Sequence, residues 1–505
     1  MAECIMVQGT MSGVGKSLLV TALCRIFSEE GLRCAPFKSQ NMALNSFVTP
    51  DGLELGRAQA VQAEAAGLQC DVRMNPILLK PASDTGSQLI VMGEVRGTYP
   101  AKEYFRMKKS LIPVILEAYR SLAAENDILV IEGAGSPAEI NLREDDIVNM
   151  GLAGLVDAPV ILAGDIDRGG VFAQLYGTIA LLRQEEKERV IGTVINKFRG
   201  DAGLLTPGLR QLEELTGKPV LGVVPWTELD IDDEDSLAPR LERKHGERAL
   251  DIAVIRLPHL SNFTDFAPLE SHPAIGLRYV HGVTELGKPD LVILPGTKST
   301  MDDLRWLRGR GFAEALLALH RQKTPILGIC GGYQMLGRAL SDPLGTESGG
   351  SCRGLGLLPA ETVFTVEKTR TRRRAECCAG PFQGAMLEGY EIHMGTTAPQ
   401  PEHTGIARPF CRFEDGQEDG MMLDGVFGTY LHGLFDSGEL VDRLAAYLAG
   451  QKGIAVPEVK TESRSLYRAR QYDLLADTVR RSLDIAAIRT AMRDYALRRG
   501  EKGST

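Results

Sequence analysis

From the first residues to about 225, short β-branched apolar runs alternate with amphipathic stretches, the pattern of a parallel sheet covered by helices. Strands are expected at 4–8, 33–37, 128–131, 159–163, 190–195 and 219–224. They end in turn-forming or polar residues, in order Gly9, Lys38, Glu132, Gly164, Asn196 and Pro225. In open α/β sheets ligands gather beyond the carboxyl ends of the strands, so chemistry is expected on that edge. Residues 228–248 lose the apolar period and read as an acidic run followed by a mixed basic one, the signature of a linker. A second alternation starts at Asp251 and continues through 290–296 and 325–332, giving another α/β domain. Residues 353–430 are Gly-rich and β-like, with the basic run 369–374 expected in an exposed loop. Helical spacing returns at 437–449, 463–482 and 484–499, where Leu, Ala and Tyr recur every three or four residues. The expected domains are 1–228, a linker 229–250, a second domain 251–447 and a helical extension 448–505.

Length and composition agree with this division. The 505 residues exceed one ordinary domain. With 44% hydrophobic and 24% charged residues the chain is globular rather than disordered. Its 57 Lys+Arg against 66 Asp+Glu give a net charge of −9, which repels nucleic acid and anionic membranes, so a polyanionic ligand needs a local cationic site. The nine cysteines are odd in number and lack CxxC spacing, which argues against a disulfide framework or structural zinc and for a reducing cytoplasm. Neither a signal peptide nor a membrane span is expected, because the start lacks a basic and apolar leader and no apolar run nears the length of a span. All eight histidines lie at or beyond His245, so imidazole chemistry belongs to the second half.

The first strand leads into Gly9-Thr10-Met11-Ser12-Gly13-Val14-Gly15-Lys16-Ser17 and then a helical run. This ending is that of a phosphate loop. Gly13 and Gly15 let backbone N–H groups face a phosphate, Lys16 reaches the β/γ-phosphates and Ser17 ligates Mg²⁺. Thr10 stands where the strict pattern has its first Gly, so the loop is a variant and Thr10 joins the nucleotide-binding candidates. Glu132, at a strand end in Glu-Gly-Ala-Gly, is the second candidate Mg²⁺ ligand. Lys38 is placed to face phosphate or an acidic substrate, and Asn196 and Lys197 to read the nucleotide base. Asp145 and Asp146 are candidate carboxylates that either support the residues of the site from behind or orient the substrate. A nucleotide site of lysines and carboxylates without a histidine base suits phosphoryl transfer, which rests on positioning and charge neutralisation. Transfer onto a carboxylate gives an acyl phosphate open to attack by an amine.

In the second half, Gly328-Ile329-Cys330-Gly331-Gly332 follows a strand and opens a helix, the geometry of a nucleophile elbow. A thiol at a helix N-terminus is readily ionised, as covalent acyl transfer requires. His432, in Gly428-Thr429-Tyr430-Leu431-His432-Gly433, is the candidate general base, and His393 the next histidine to test. Gly296, after strand 290–294, and Gly331 are the candidate oxyanion-hole N–H donors.

These residues resemble the class I glutamine amidotransferases, in which an elbow Cys forms a γ-glutamyl thioester and releases ammonia. That family usually carries a Glu two residues after the His, where this chain has Leu434, which puts the third triad member in question. The first half, with its GT-x₄-GKS loop and EGAG strand end, is similar to the dethiobiotin synthetase-like amidoligases, which activate a carboxylate with ATP. The two halves in this order resemble the cobyrinate amidotransferases. Particular segments carry that resemblance: KSQNMALNS at 38–46, DIDRGGVFAQLYGT at 165–178, NKFRGD at 196–201 and GYEIHMG at 389–395. It implies MgATP- and glutamine-dependent amidation of four peripheral carboxylates of adenosylcobyrinic acid a,c-diamide. The implied partner is a small corrinoid, with neither nucleic acid nor membrane, and a homo-oligomer is left open. The rival readings are a synthase amidating the a and c side chains instead, and a partitioning-type P-loop ATPase, which has no use for Cys330 and His432.

Overall fold

A computed structural model describes residues 2–83, 86–231, 248–378, 380–400 and 406–502. The chain divides into two compact units. The first comprises Met1–Ala43, Glu54–Ile231 and Arg468–Thr505, and the second Leu44–Leu53 and Asp232–Tyr467. Most of the expected linker lies outside the described residues.

The first unit is built on a parallel sheet of six strands: β1 (Glu3–Gly9), β2 (Cys34–Phe37), β3 (Ile128–Glu132), β4 (Val160–Asp165), β5 (Val190–Phe198) and β6 (Val220–Pro225), in the order β6-β5-β4-β1-β3-β2. Strands β3 and β4 are buried along their whole length, as expected of strands with helices on both faces. Central β1 runs parallel to β3, with Val7 opposite Glu132, and parallel to β4, with Gly9 opposite Ala163. The register brings the carboxyl ends of three strands to one edge, and helix α1 (Lys16–Glu29) starts there. A four-stranded sheet of 40–42, 77–83, 86–91 and 94–100 was not expected from the sequence. Its outer strand, Glu94–Pro100, is exposed at most positions and offers no apolar run.

The last two helices belong to this first unit from Arg468 onward. Tyr472, Leu475, Ala476, Val479 and Leu483 recur at helical spacing, and with Ile488, Met492 and Tyr495 they enter the core around α1. Polar contacts fix the docking: Tyr472 donates to Glu64 at 3.0 Å, and Arg189 donates to the Tyr495 hydroxyl at 2.6 Å. The extension expected from residue 448 is therefore divided, because Glu439–Lys452 packs in the second unit. Ile488 is fully buried. Ile488→Ala should lower stability by about 2–5 kcal/mol, the usual cost of such a cavity. An unchanged chemical-denaturation midpoint would detach these helices from the core.

The second unit has its own six-stranded sheet: β7 (Leu250–Ile255), β8 (Ile275–Val280), β9 (Leu291–Leu294), β10 (Ile326–Ile329), β11 (Met421–Leu423) and β12 (Val426–Thr429), in the order β8-β7-β9-β10-β12-β11. All neighbours are parallel except the β11–β12 pair. A long antiparallel pair, Ala360–Cys377 with Met386–Pro399, forms much of a further sheet. The basic run 369–374 lies on this pair rather than in the expected loop. Its alternation of Arg and Thr suits a strand with one wet face, and Arg373 is held by Glu391 and Asp415, each at 2.8 Å.

Candidate active sites

In the first unit the phosphate loop joins β1 to α1. Gly15 has φ 94°, and a β-carbon there would lie 2.3 Å from Asn196 Nδ2, so only glycine fits. The first turn of α1 holds no acidic residue, leaving its N–H groups and positive dipole end for an anion. Lys16 Nζ donates to the carbonyls of Met11 and Gly135, both at 3.1 Å. Thr10 is tied to Gln174 at 3.1 Å.

Ser17 Oγ donates to Glu132 Oε1 at 3.0 Å, and Lys38 Nζ donates to the same oxygen at 2.8 Å. Gln62 Nε2 donates to the other carboxylate oxygen. Burial works against ionisation of Glu132, but Lys38, Gln62 and Lys16 together hold it below the ordinary carboxylate range. A hydroxyl and an ionised carboxylate side by side form an all-oxygen donor set, which fits Mg²⁺. Lys38 thus joins Ser17 and Glu132.

Other candidates take different places. Asn196 Nδ2 donates to the Val14 carbonyl at 2.8 Å, and Lys197 Nζ to the Gly13 carbonyl at 2.5 Å and to Asp165 at 2.8 Å. In this structure both brace the phosphate loop. Asp146 accepts from the N–H groups of Val148, Asn149 and Gly151 within 2.9 Å, capping the turn into helix Met150–Leu155. Asn149 in turn exchanges hydrogen bonds with Ala134. Asp146 therefore orders the loop after β3, while Asp145 pairs with Lys109 at 2.8 Å.

In the second unit Cys330 sits between β10 and the short helix Gly331–Leu336. Its φ of 51° and ψ of −111° are strained for a residue with a side chain, as a nucleophile elbow requires. The turn closes because Gly332 has no β-carbon, which would fall 2.0 Å from the Leu294 carbonyl. Cys330 Sγ donates to the Ile392 carbonyl at 3.7 Å and also interacts with His432. Gly296 and Gly331 line the same place: a β-carbon on the first would meet His432 Cε1 at 3.0 Å, and one on the second Thr297 Cγ2 at 2.7 Å. His393 is stacked on Tyr430 with ring centroids 3.7 Å apart and has Nδ1 against the Gly395 carbonyl.

The acid missing from sequence reasoning is Asp265. Its Oδ2 lies 2.7 Å from His432 Nδ1, and its Oδ1 accepts from Gly433 N–H at 3.1 Å. Both side chains are almost fully buried. Burial alone would lower the imidazole pKa, but the charge and hydrogen bond of Asp265, with Cys330, push it up to about 10. Leu434, in the slot of the expected Glu, packs in the core instead. A thiol, an imidazole and a carboxylate in series can pass a proton and form a covalent acyl intermediate.

Comparison with known proteins separates the candidate classes. Residues 251–440 match a model described as the CobB/CobQ-like glutamine amidotransferase domain, and residues 5–237 one described as the CobQ/CobB/MinD/ParA nucleotide binding domain. The second description spans synthases and partitioning ATPases alike, but the first accounts for the thiol half, so the class is that of glutamine-dependent amide ligases. A cobyric acid synthase of Ruminiclostridium cellulolyticum is 53% identical over 97% of this chain and 96% of its own. Those of Lachnoclostridium phytofermentans and Yersinia enterocolitica are each 52% identical over 98% of this chain, covering 100% and 99% of theirs. The chain belongs to the cobyric acid synthase family. Among the described residues no helix is long and apolar enough to cross a membrane.

Proposed function

We propose that the chain converts adenosylcobyrinic acid a,c-diamide to adenosylcobyric acid in cobalamin biosynthesis, amidating the b, d, e and g carboxylates with glutamine nitrogen at the expense of ATP. The observation that carries this reading is the presence, in one chain of this family, of a phosphate loop facing Glu132 and a Cys330–His432–Asp265 series. In the second unit Cys330 gives its proton to His432 Nε2 and attacks the glutamine δ-carbonyl. The N–H groups of Gly296 and Gly331 receive the developing oxyanion. The imidazolium returns the proton to the departing nitrogen, ammonia leaves, and water hydrolyses the thioester to glutamate. In the first unit Thr10, Gly13, Gly15, Lys16 and Ser17 bind ATP, and a substrate carboxylate oxygen attacks the γ-phosphorus with loss of ADP. Ser17 and Glu132 would hold Mg²⁺, which supplies charge neutralisation at the phosphates. Lys38 fixes Glu132 in its ionised form and balances charge beside it. Ammonia then displaces phosphate from the acyl phosphate, giving the amide. The cytoplasm, with its reduced thiols and ATP, is the compartment this chemistry fits.

Asp265 holds the Nδ1 proton and so directs Nε2 toward the thiol. Asp265→Asn should lower kcat for glutamine hydrolysis by about a hundredfold or more, the scale of a lost general base. It should also move the basic limb of the pH profile to lower pH, because the imidazolium loses its stabilising anion. An unchanged limb would remove Asp265 from the mechanism. Substrate choice is tested by offering cobyrinic acid and its a,c-diamide in separate incubations and reading product masses. The reading predicts fourfold amidation of the a,c-diamide, whereas twofold amidation of cobyrinic acid with the a,c-diamide left untouched favours the rival synthase.

A further inference from the structure

Residues 44–53 lie in sequence within the synthetase half, yet they belong to the second unit. Their contacts there converge on two of the neighbours of His432, Asn262 and Tyr390. Asn45 Oδ1 accepts from the backbone N–H of Asn262 at 2.8 Å, and Ser46 N–H approaches Asn262 Oδ1 at 3.5 Å. Asn262 has φ 52°, a left-handed conformation that asparagine tolerates better than most residues, and the bond from Asn45 holds its N–H in that conformation. Its side-chain amide reaches His432 Nε2 at 3.3 Å, the nitrogen that takes the thiol proton in the reading above. On the ring face, Tyr390 stacks on His432 with centroids 5.4 Å apart. Tyr390 donates from its hydroxyl to the Ser46 carbonyl at 3.4 Å and meets Phe47 edge-on at 5.4 Å. Arg372 lies over the Phe47 ring, 5.0 Å from its centroid. Asn45, Asn262 and Phe47 are buried.

We infer that segment 44–53 is a positioning element of the glutaminase: Asn45, through Asn262, and Phe47, through Tyr390, set the orientation of the His432 ring toward Cys330. An asparagine suits the place at Nε2, because its amide offers a donor when that nitrogen is bare and an acceptor, by exchanging its ends, when it is protonated. Nδ1 is fixed by Asp265 and the ring face by Tyr390, so the Asn262 amide, beside the Cys330 thiol, acts on the nitrogen that changes state. Among the described residues the titratable groups against the imidazole are Asp265, Cys330 and the Tyr390 phenol, and none is carried by the segment.

The inference rests on the proposed roles of Cys330 and His432, and its test separates the two. In the full chain, Asn45→Ala should lower kcat for glutamine hydrolysis by about ten- to a hundredfold, the cost of a small misplacement of a reacting group, with KM for glutamine little changed. The pH profile should change with it, and amidation supported by added ammonium should stay at the wild-type rate. Asn45→Asp keeps the acceptor for the Asn262 N–H and should restore most of kcat. Wild-type glutaminase kinetics and pH profile in Asn45→Ala overturn the inference, as does an equal loss of glutamine- and ammonium-supported amidation, which marks a merely structural role. If instead Cys330→Ser still hydrolyses glutamine, the proposed function has failed before the inference is reached.

Discussion

Cys330→Ser should abolish glutamine-supported amidation while amidation with added ammonium continues at the wild-type rate. The expected loss is about four orders of magnitude or more, the scale on which removal of one member of a catalytic unit is felt. The substitution is close to isosteric, and the strained turn at φ 51° is imposed by the surrounding strand, helix and Gly332 rather than by the sulfur. Folding should therefore survive, and the surviving ammonium reaction is itself the control. Serine fails because an alcohol is far harder to ionise than a thiol, and the His432–Asp265 pair is set to receive a thiol proton. Equal failure with both nitrogen sources would deny the division of labour between the two units.

Lys16→Ala should stop amidation from either source, by about a hundredfold to a thousandfold or more, the loss seen when one preorganised electrostatic donor is removed from a developing negative charge. The lysine does two things in the structure. It draws in the Met11 and Gly135 carbonyls, shaping the loop, and it contributes to holding Glu132 ionised. Glutamine hydrolysis at Cys330, measured as glutamate release without corrinoid or ATP, should continue in this variant. Retained amidation would take the phosphate loop out of the mechanism.

What could be read in the sequence follows from how local each feature is. The phosphate loop and the cysteine elbow are each written in consecutive residues, since a tight strand-to-helix turn needs glycines at fixed offsets. Histidines confined to the second half likewise separated two chemistries before any contact was known. Asp265 was not legible because it meets His432 across 167 residues, from a short 3₁₀ turn in which it is buried along with Phe263 and Phe266. The slot where a carboxylate was sought, Leu434, is filled by the core. Asn196 and Lys197 stood at the right strand end, but their reach to the Val14 and Gly13 carbonyls is a property of the folded loop and not of the motif. Segment 44–53 shows the same limit at larger scale, for contiguity in sequence assigns it to the first half, whereas it belongs to the second unit.

The central claim is that nitrogen freed at Cys330 is joined to carboxylates that have first been phosphorylated by ATP. It is tested most directly with amide-¹⁵N glutamine and a corrinoid a,c-diamide carrying ¹⁸O in its carboxylates. The account predicts ¹⁵N in each new amide and one ¹⁸O passed to inorganic phosphate for each amide formed. Amides formed with no ¹⁸O in phosphate, or with nitrogen drawn only from the solvent pool, would contradict it.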